Sequence, residues 1–189
     1  MGVSIHGSDN PSCDRRRVLG LSVGAGCALM IAAARPAVAA QSAARKLDFH
    51  SLHTGERLTV TYWENGRYLA DGLREIDHVL RDFRTGDVHP IDPALLDLLH
   101  RLRLVMDHAR PIGVISGYRC PATNAMLAAR SRRVATNSYH VRGMAIDFRL
   151  PGRQLATVRD SAKALALGGV GYYPESDFVH VDTGPPRAW

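Results

Sequence analysis

The chain has 189 residues, of which 46% are hydrophobic, 22% charged and 6% aromatic, with a formal net charge of +6. That length fits one domain, the apolar fraction is too high for a disordered chain, and a mean hydropathy of -0.13 is too low for a multi-span membrane protein. Three cysteines exclude a disulfide-rich scaffold, and no block of like charges interleaved with aromatics points to nucleic acid.

The chain opens with a basic patch, Asp14-Arg15-Arg16-Arg17, followed by an apolar Gly/Ala-rich run of about 16 residues from Leu19 to Ala34 and the small-residue pattern Ala37-Val38-Ala39. Basic region, apolar core and A-x-A site together predict a secretory signal peptide over residues 1–39, cleaved near Ala39. The arginine pair before a mildly apolar core is similar to a bacterial twin-arginine signal, so the twin-arginine export machinery is the expected partner and the periplasm the expected location. The run falls short of the ~20 residues needed to span a bilayer, and Arg35-Pro36 closes it, so no stable membrane span is expected in the mature form. The predicted leader carries four arginines and two aspartates, so residues 40–189 keep a net charge of +4. Cys13 and Cys27 leave with it, and Cys120 alone cannot form an intramolecular disulfide.

In the 40–189 segment, Lys46–Leu52 and Arg57–Trp63 read as paired strands across the turn cluster His53-Thr54-Gly55-Glu56, and Asn65-Gly66 marks a second turn. Leu73, Ile76, Leu80 and Phe83 fall on one helical face. Asp92-Pro93 then signals an N-cap and first turn, with Leu95, Leu96, Leu99, Leu102 and Met106 as the apolar stripe of the helix that follows. Ile112–Ser116 reads as a buried strand, Pro121–Arg130 as a short helix and residues 132–138 as a polar loop. Met144–Leu150 alternates as a strand, Gln154–Leu167 is amphipathic, and two short strands are expected around Val170–Tyr172 and Phe178–Val181. Segregated strands and helices, in place of regular βαβ units, predict an α+β fold with a central, mostly antiparallel sheet flanked by helices.

Two segments carry chemistry. In Met144–Leu150 the alternation puts Met144, Ile146, Phe148 and Leu150 on the core face and Ala145, Asp147 and Arg149 on the other. Gly143 lets the chain double back, bringing His140 toward Asp147. In Asp177–Asp182, residues Phe178, His180 and Asp182 share a face. Two imidazoles and a carboxylate can therefore converge on one metal ion with a coordination position left open. Any one of the nine histidines taken alone is more often a surface or hydrogen-bonded structural group.

The ordered set Ser138-x-His140-x-x-Gly143-x-Ala145-x-Asp147, with Ser116-Gly117-Tyr118-Arg119 upstream and His180 downstream, resembles the zinc D-alanyl-D-alanine carboxypeptidase and dipeptidase family. The stretch Gly169-Val170-Gly171-Tyr172-Tyr173-Pro174 and Phe178-Val179-His180-Val181-Asp182-Thr183-Gly184 is similar to its murein endopeptidase K-like branch. The resemblance implies Zn2+ bound by His140, Asp147 and His180, with Arg119 on the polarised carbonyl and its developing oxyanion. It implies peptidoglycan as substrate and hydrolysis of its peptide cross-links as the reaction. A D,D-carboxypeptidase that trims stem peptides and a non-catalytic peptidoglycan-binding module are the rival classes. For the general base the family pattern favours Asp177, three positions before His180. Strand alternation favours Asp182, and either carboxylate can instead orient an imidazole. Ser138 is expected to anchor the loop or bond Asp147, Tyr118 and Tyr139 to line a groove or pack, and Cys120 to be inert.

Overall fold

The computed structural model describes residues 44–131 and 134–189. The predicted leader, with its twin-arginine patch, lies outside the described residues. Among those residues no helix is long and apolar enough to cross a membrane.

The chain begins with β1 (Arg45–Ser51) and β2 (Arg57–Glu64), which pair antiparallel, followed by the short β3 (Arg67–Tyr68). Asn65 and Gly66 make the β2–β3 turn with φ of 51° and 80°, the pair of left-handed residues that a tight hairpin needs. Helix α1 (Ala70–Val79) buries Ile76 and Val79, with Leu80 buried just past its end. Phe83 lies beyond the helix and stacks on His53 at 4.0 Å, so the expected fourth turn is replaced by loop. Helix α2 (Pro93–Val105) starts where the Asp-Pro signal placed it: the Asp92 carboxylate accepts from the Ala94 amide at 2.9 Å. Its stripe Leu95, Leu96, Leu99, Leu102 and Met106 is buried throughout.

Strand β4 (Ile112–Ser116), helix α3 (Pro121–Arg130), a 3₁₀ turn (Tyr139–Arg142), β5 (Ala145–Arg149) and helix α4 (Leu155–Leu165) follow. The chain closes with β6 (Gly169–Tyr173), a 3₁₀ turn (Pro174–Ser176), β7 (Phe178–Asp182) and β8 (Arg187–Ala188). The eight strands of the described residues form one sheet in the order β3-β2-β1-β4-β5-β7-β6-β8. The β1–β4 and β6–β8 pairs are parallel and the other five antiparallel. The α+β expectation therefore holds, with a mixed sheet.

The register decides what comes next. Asp147 of β5 lies opposite His180 of β7, and Ser116 of β4 opposite Asp147. The central strands thus bring three chain segments, far apart in sequence, to one place on the sheet. One detail departs from simple alternation: Ala145, Ile146, Asp147 and Phe148 are all buried, because the site face of β5 is covered as well as its core face.

Candidate metal centre

Each of the three expected ligands is fixed by its neighbours. His140 sits in the 3₁₀ turn, whose N-cap Ser138 accepts from the His140 amide at 3.3 Å. The turn ends at Gly143 in the left-handed region, φ 66°, packed so closely on the Pro90 carbonyl that a Cβ would lie 2.2 Å from it. No other residue fits there. The Ser116–Arg119 segment is knit to His140 as well: the Arg119 amide donates to the His140 carbonyl at 3.2 Å, and His140 Nδ1 lies 2.7 Å from the Gly117 carbonyl.

That last contact fixes the tautomer. A carbonyl only accepts, so Nδ1 carries the proton and Nε2 presents a lone pair. His180 is fixed in the opposite sense, its Nε2 lying 3.0 Å from Asp182 Oδ2 and donating to that carboxylate, which leaves Nδ1 facing inward. His140 Nε2 and His180 Nδ1 are 3.2 Å apart, and Asp147 Oδ1 is 3.2 Å from the first and 2.8 Å from the second. With both rings neutral, three lone-pair atoms converge with no donor among them. Such a cluster is stable only around a positive charge.

The electrostatics agree. Burial raises the Asp147 carboxyl, but the charge and hydrogen bonds of His140 and His180 outweigh it and hold it well below the usual carboxylate range. Burial lowers His140 below the ordinary imidazole value. Burial lowers His180 too, but hydrogen bonds to Asp147 and Asp182 prevail and raise it. The raised His180 agrees with a centre that favours a positive charge. The set fits a metal: the three donor atoms lie within 4.8 Å of one another and all three residues are buried. The donors, two imidazoles and a carboxylate, are those of an N/O site that leaves a position open.

Arg119 lies beside this centre. Its Nε donates to Ser116 Oγ at 2.8 Å and its Nη2 to Asp147 Oδ2. Asp147 therefore turns one oxygen to the two imidazoles and the other to a fixed guanidinium. Both groups line a groove of about 420 Å³ together with His140, His180, Tyr139 and Trp189.

Neither expected base joins the three donors. Asp177 adopts the left-handed region, φ 52°, at the end of the second 3₁₀ turn, where its carboxylate is 62% exposed and paired with Arg149. Asp182 is fully buried and turned to the far side of His180, where its oxygens also accept from Arg187, the Gly184 amide and the Gly169 amide. Ser138 caps the turn and does not contact Asp147. Tyr139 lines the groove, whereas Tyr118 is buried and stacks on His89 at 4.7 Å. Cys120 caps α3 through its sulfur. Arg187, Tyr173, Phe178 and Trp189 also line the groove, and the sequence reading gave none of them a role. One signal was available: in an extended Arg187-Ala188-Trp189, the arginine and the tryptophan share a face.

A family described as peptidoglycan L,D-endopeptidase MepK matches residues 39–189. Among curated relatives, the peptidoglycan L,D-endopeptidase MepK of Escherichia coli strain K12 is 41% identical over 184 residues, covering 96% of this chain and 100% of that protein. The protein of the same name from Shigella flexneri matches to the same extent. A probable peptidoglycan L,D-endopeptidase MepK of Haemophilus influenzae is 46% identical over 147 residues, 77% of this chain and 78% of that protein.

Proposed function

The chain belongs to the peptidoglycan L,D-endopeptidase MepK family, and from that premise we propose a zinc-dependent enzyme that opens L,D peptide cross-links of the bacterial wall. The chain is a peptidoglycan endopeptidase. We infer zinc, the L,D bond, export by the twin-arginine route and action in the periplasm. The leader pattern of residues 1–39 supports the last two.

The observation that carries the metal reading is the convergence of His140 Nε2, Asp147 Oδ1 and His180 Nδ1, each with its other polar atom pinned outside the cluster. Zinc bound there supplies Lewis acidity and lowers the pKa of a water to about 7. The chain's own residues do the rest. Gly117 and Asp182 hold the two imidazoles in their tautomers, and Ser116 holds the Arg119 guanidinium at the groove. Arg119 has partners for only two of its five N–H groups among the described residues. The others are available to a substrate carbonyl oxygen, where stabilisation grows as negative charge develops. Asp182 is committed to His180 and Arg187, so proton transfer is assigned to Asp177, whose neighbours Ser176 and Phe178 line the groove. That role requires the Asp177 carboxylate to leave Arg149.

The test uses the purified protein with defined muropeptides. Cleavage of a diaminopimelate-to-diaminopimelate dimer is expected, lost on chelation and restored by zinc. His140→Ala and Asp147→Ala are each expected to lose both bound metal and cleavage. Release of terminal D-alanine alone would make the enzyme a trimming carboxypeptidase, and binding without metal-dependent product would make it a binding module. Full turnover in either variant would overturn the metal assignment.

A further inference from the structure

A guanidinium presents five N–H groups, arranged as an end-on fork of Nη1 and Nη2 and a side-on fork of Nε and Nη2. In Arg187 the end-on fork is committed. Its Nη1 donates to Asp182 Oδ1 at 3.0 Å and to the Pro185 carbonyl at 3.1 Å, and its Nη2 to Asp182 Oδ2 at 2.6 Å. Nε–H and the second Nη2–H, which form the side-on fork, have no partner among the described residues. The side chain is 39% exposed and lines the groove.

This arginine is held flat. Its central carbon lies 4.9 Å from the Trp189 ring centroid and 5.1 Å from that of Tyr139. Trp189 is itself fixed, with its ring 5.3 Å from that of His180 and its Nε1–H donated to the Tyr173 hydroxyl at 2.8 Å. Gly171 makes room for it, since a Cβ there would fall 2.8–2.9 Å from three indole atoms. An arginine ordered in this way loses little freedom when it binds, and its open fork matches a planar carboxylate. Asp147 is the only acidic side chain that lines the groove among the described residues, and Asp182, behind Arg187, offsets part of its charge.

The bond named for the relatives supplies such an anion. In an amide made on the D centre of diaminopimelate, that centre's own carboxyl group is two bonds from the scissile nitrogen. Arg187 is one carboxylate removed from His180, through Asp182. We propose that Arg187, ordered by Asp182, Tyr139 and Trp189, binds the free carboxylate flanking the scissile nitrogen and makes the enzyme select substrates that carry it. The inference rests on the peptidase reading. The same group occurs at the end of a D-alanyl-D-alanine stem, so the test separates the two sources.

Zinc-loaded protein is given three substrates: the L,D dimer with that carboxylate free, the same dimer as its carboxamide, and a stem peptide ending in D-alanyl-D-alanine. The carboxamide is expected to raise KM about 10- to 100-fold, the scale of one lost charged hydrogen-bond pair, with kcat little changed. Arg187→Lys keeps a charge beside Asp182 but has no second fork. It is expected to erase the preference for acid over amide, read as the ratio of the two kcat/KM values in the same variant. Equal kcat/KM for acid and amide in the wild-type protein overturns the proposal, and so does an equal loss on both in the variant. Preference for the stem peptide, if it too is lost in Arg187→Lys, upholds the subsite and places the carboxylate at chain ends. If no substrate is cut, the peptidase reading fails and binding decides the subsite. Trp189 fluorescence in a Trp63→Phe background then follows titration with the amine-side diaminopimelate peptide and its amide. Binding of the acid at least tenfold tighter upholds the proposal, and equal binding overturns it.

Discussion

At the scale of single residues the centre is governed by what lies behind its donors. His180 shows this best, since its inward nitrogen can offer a lone pair only because Asp182 takes the proton on the outward one. Burial raises the Asp182 carboxyl, but hydrogen bonds from His180 and Arg187 hold it far below the usual range, so it is an anion at every working pH. Asp182→Asn removes that anion, and His180 loses the partner that fixes its orientation. Metal affinity is expected to fall about 10- to 100-fold, the usual effect of losing a carboxylate behind a ligating imidazole. Asp177→Asn is expected to do the reverse, keeping metal while lowering kcat by about 10²–10⁴ as a lost general base would. Competition with a chelating dye and single-turnover cleavage measure the two. Metal retained at full affinity in Asp182→Asn would remove that carboxylate from the account of the site.

At the scale of elements, β6 has two glycines, Gly169 and Gly171, and carries aromatic packing on the second. Gly171 lies opposite His180 in the β6–β7 register, and the Trp189 indole occupies the space where its Cβ would be. Gly171→Ala must push the ring away from Tyr173 and His180 or shift β8. A cost of about 1–3 kcal/mol is expected, as for other overpacked sites, with a red-shifted Trp189 emission; urea unfolding and fluorescence in the Trp63→Phe background report both. An unchanged midpoint and spectrum would mean that the indole is not seated there. Elements with strong local grammar were legible in the sequence: Asp92-Pro93 opened α2, its leucine stripe became the core, and Asn65-Gly66 became a hairpin turn. The convergence of His140, Asp147 and His180 was legible because Met144–Leu150 alternates and His180 lies on a short β-rich run, and the family resemblance picked out the same three. Phe83 was placed in α1 because it keeps the helical period, but the helix stops at Val79 and Phe83 finds its partner in His53. Strand β8 has two residues and no period to detect. The roles of Asp182 and Arg187 depend on register between strands, which local pattern does not encode.

At the scale of the whole molecule, the charged groups that hold the fold together pull in different directions as pH changes. Asp82, Asp97, Asp147 and Asp182 are all raised by burial and then lowered further by the groups that bond them, so each ends below the ordinary carboxylate value. A carboxyl lowered in the native state stabilises it above the unfolded pKa near 4, and that gain is lost as pH falls through the native value. Asp77, raised by burial, works against this trend. His100, His108 and His140 are lowered, burial being the leading cause in each. Below about pH 6.5 the unfolded chain takes up protons that these folded histidines refuse, so stability falls as the solution is acidified. His180 is raised instead, and it returns some stability over the same interval. With His53 lowered in the same way, four histidines stand against one, and the chelated protein is expected to melt lower at pH 5 than at pH 7, and lower again below pH 4. Loading with zinc at neutral pH is expected to raise the melting temperature, since a metal that binds only the folded chain stabilises it. The zinc-dependent increment is expected to be largest near pH 7 and to vanish as the ligands protonate toward pH 5. Thermal unfolding at pH 7, 6, 5 and 4, with chelator and with zinc, measures both curves. A chelated protein that melts higher at pH 5 than at pH 7 would mean that the proton on His180 outweighs the other four imidazoles and that the empty ligand trio dominates the acid response of the fold.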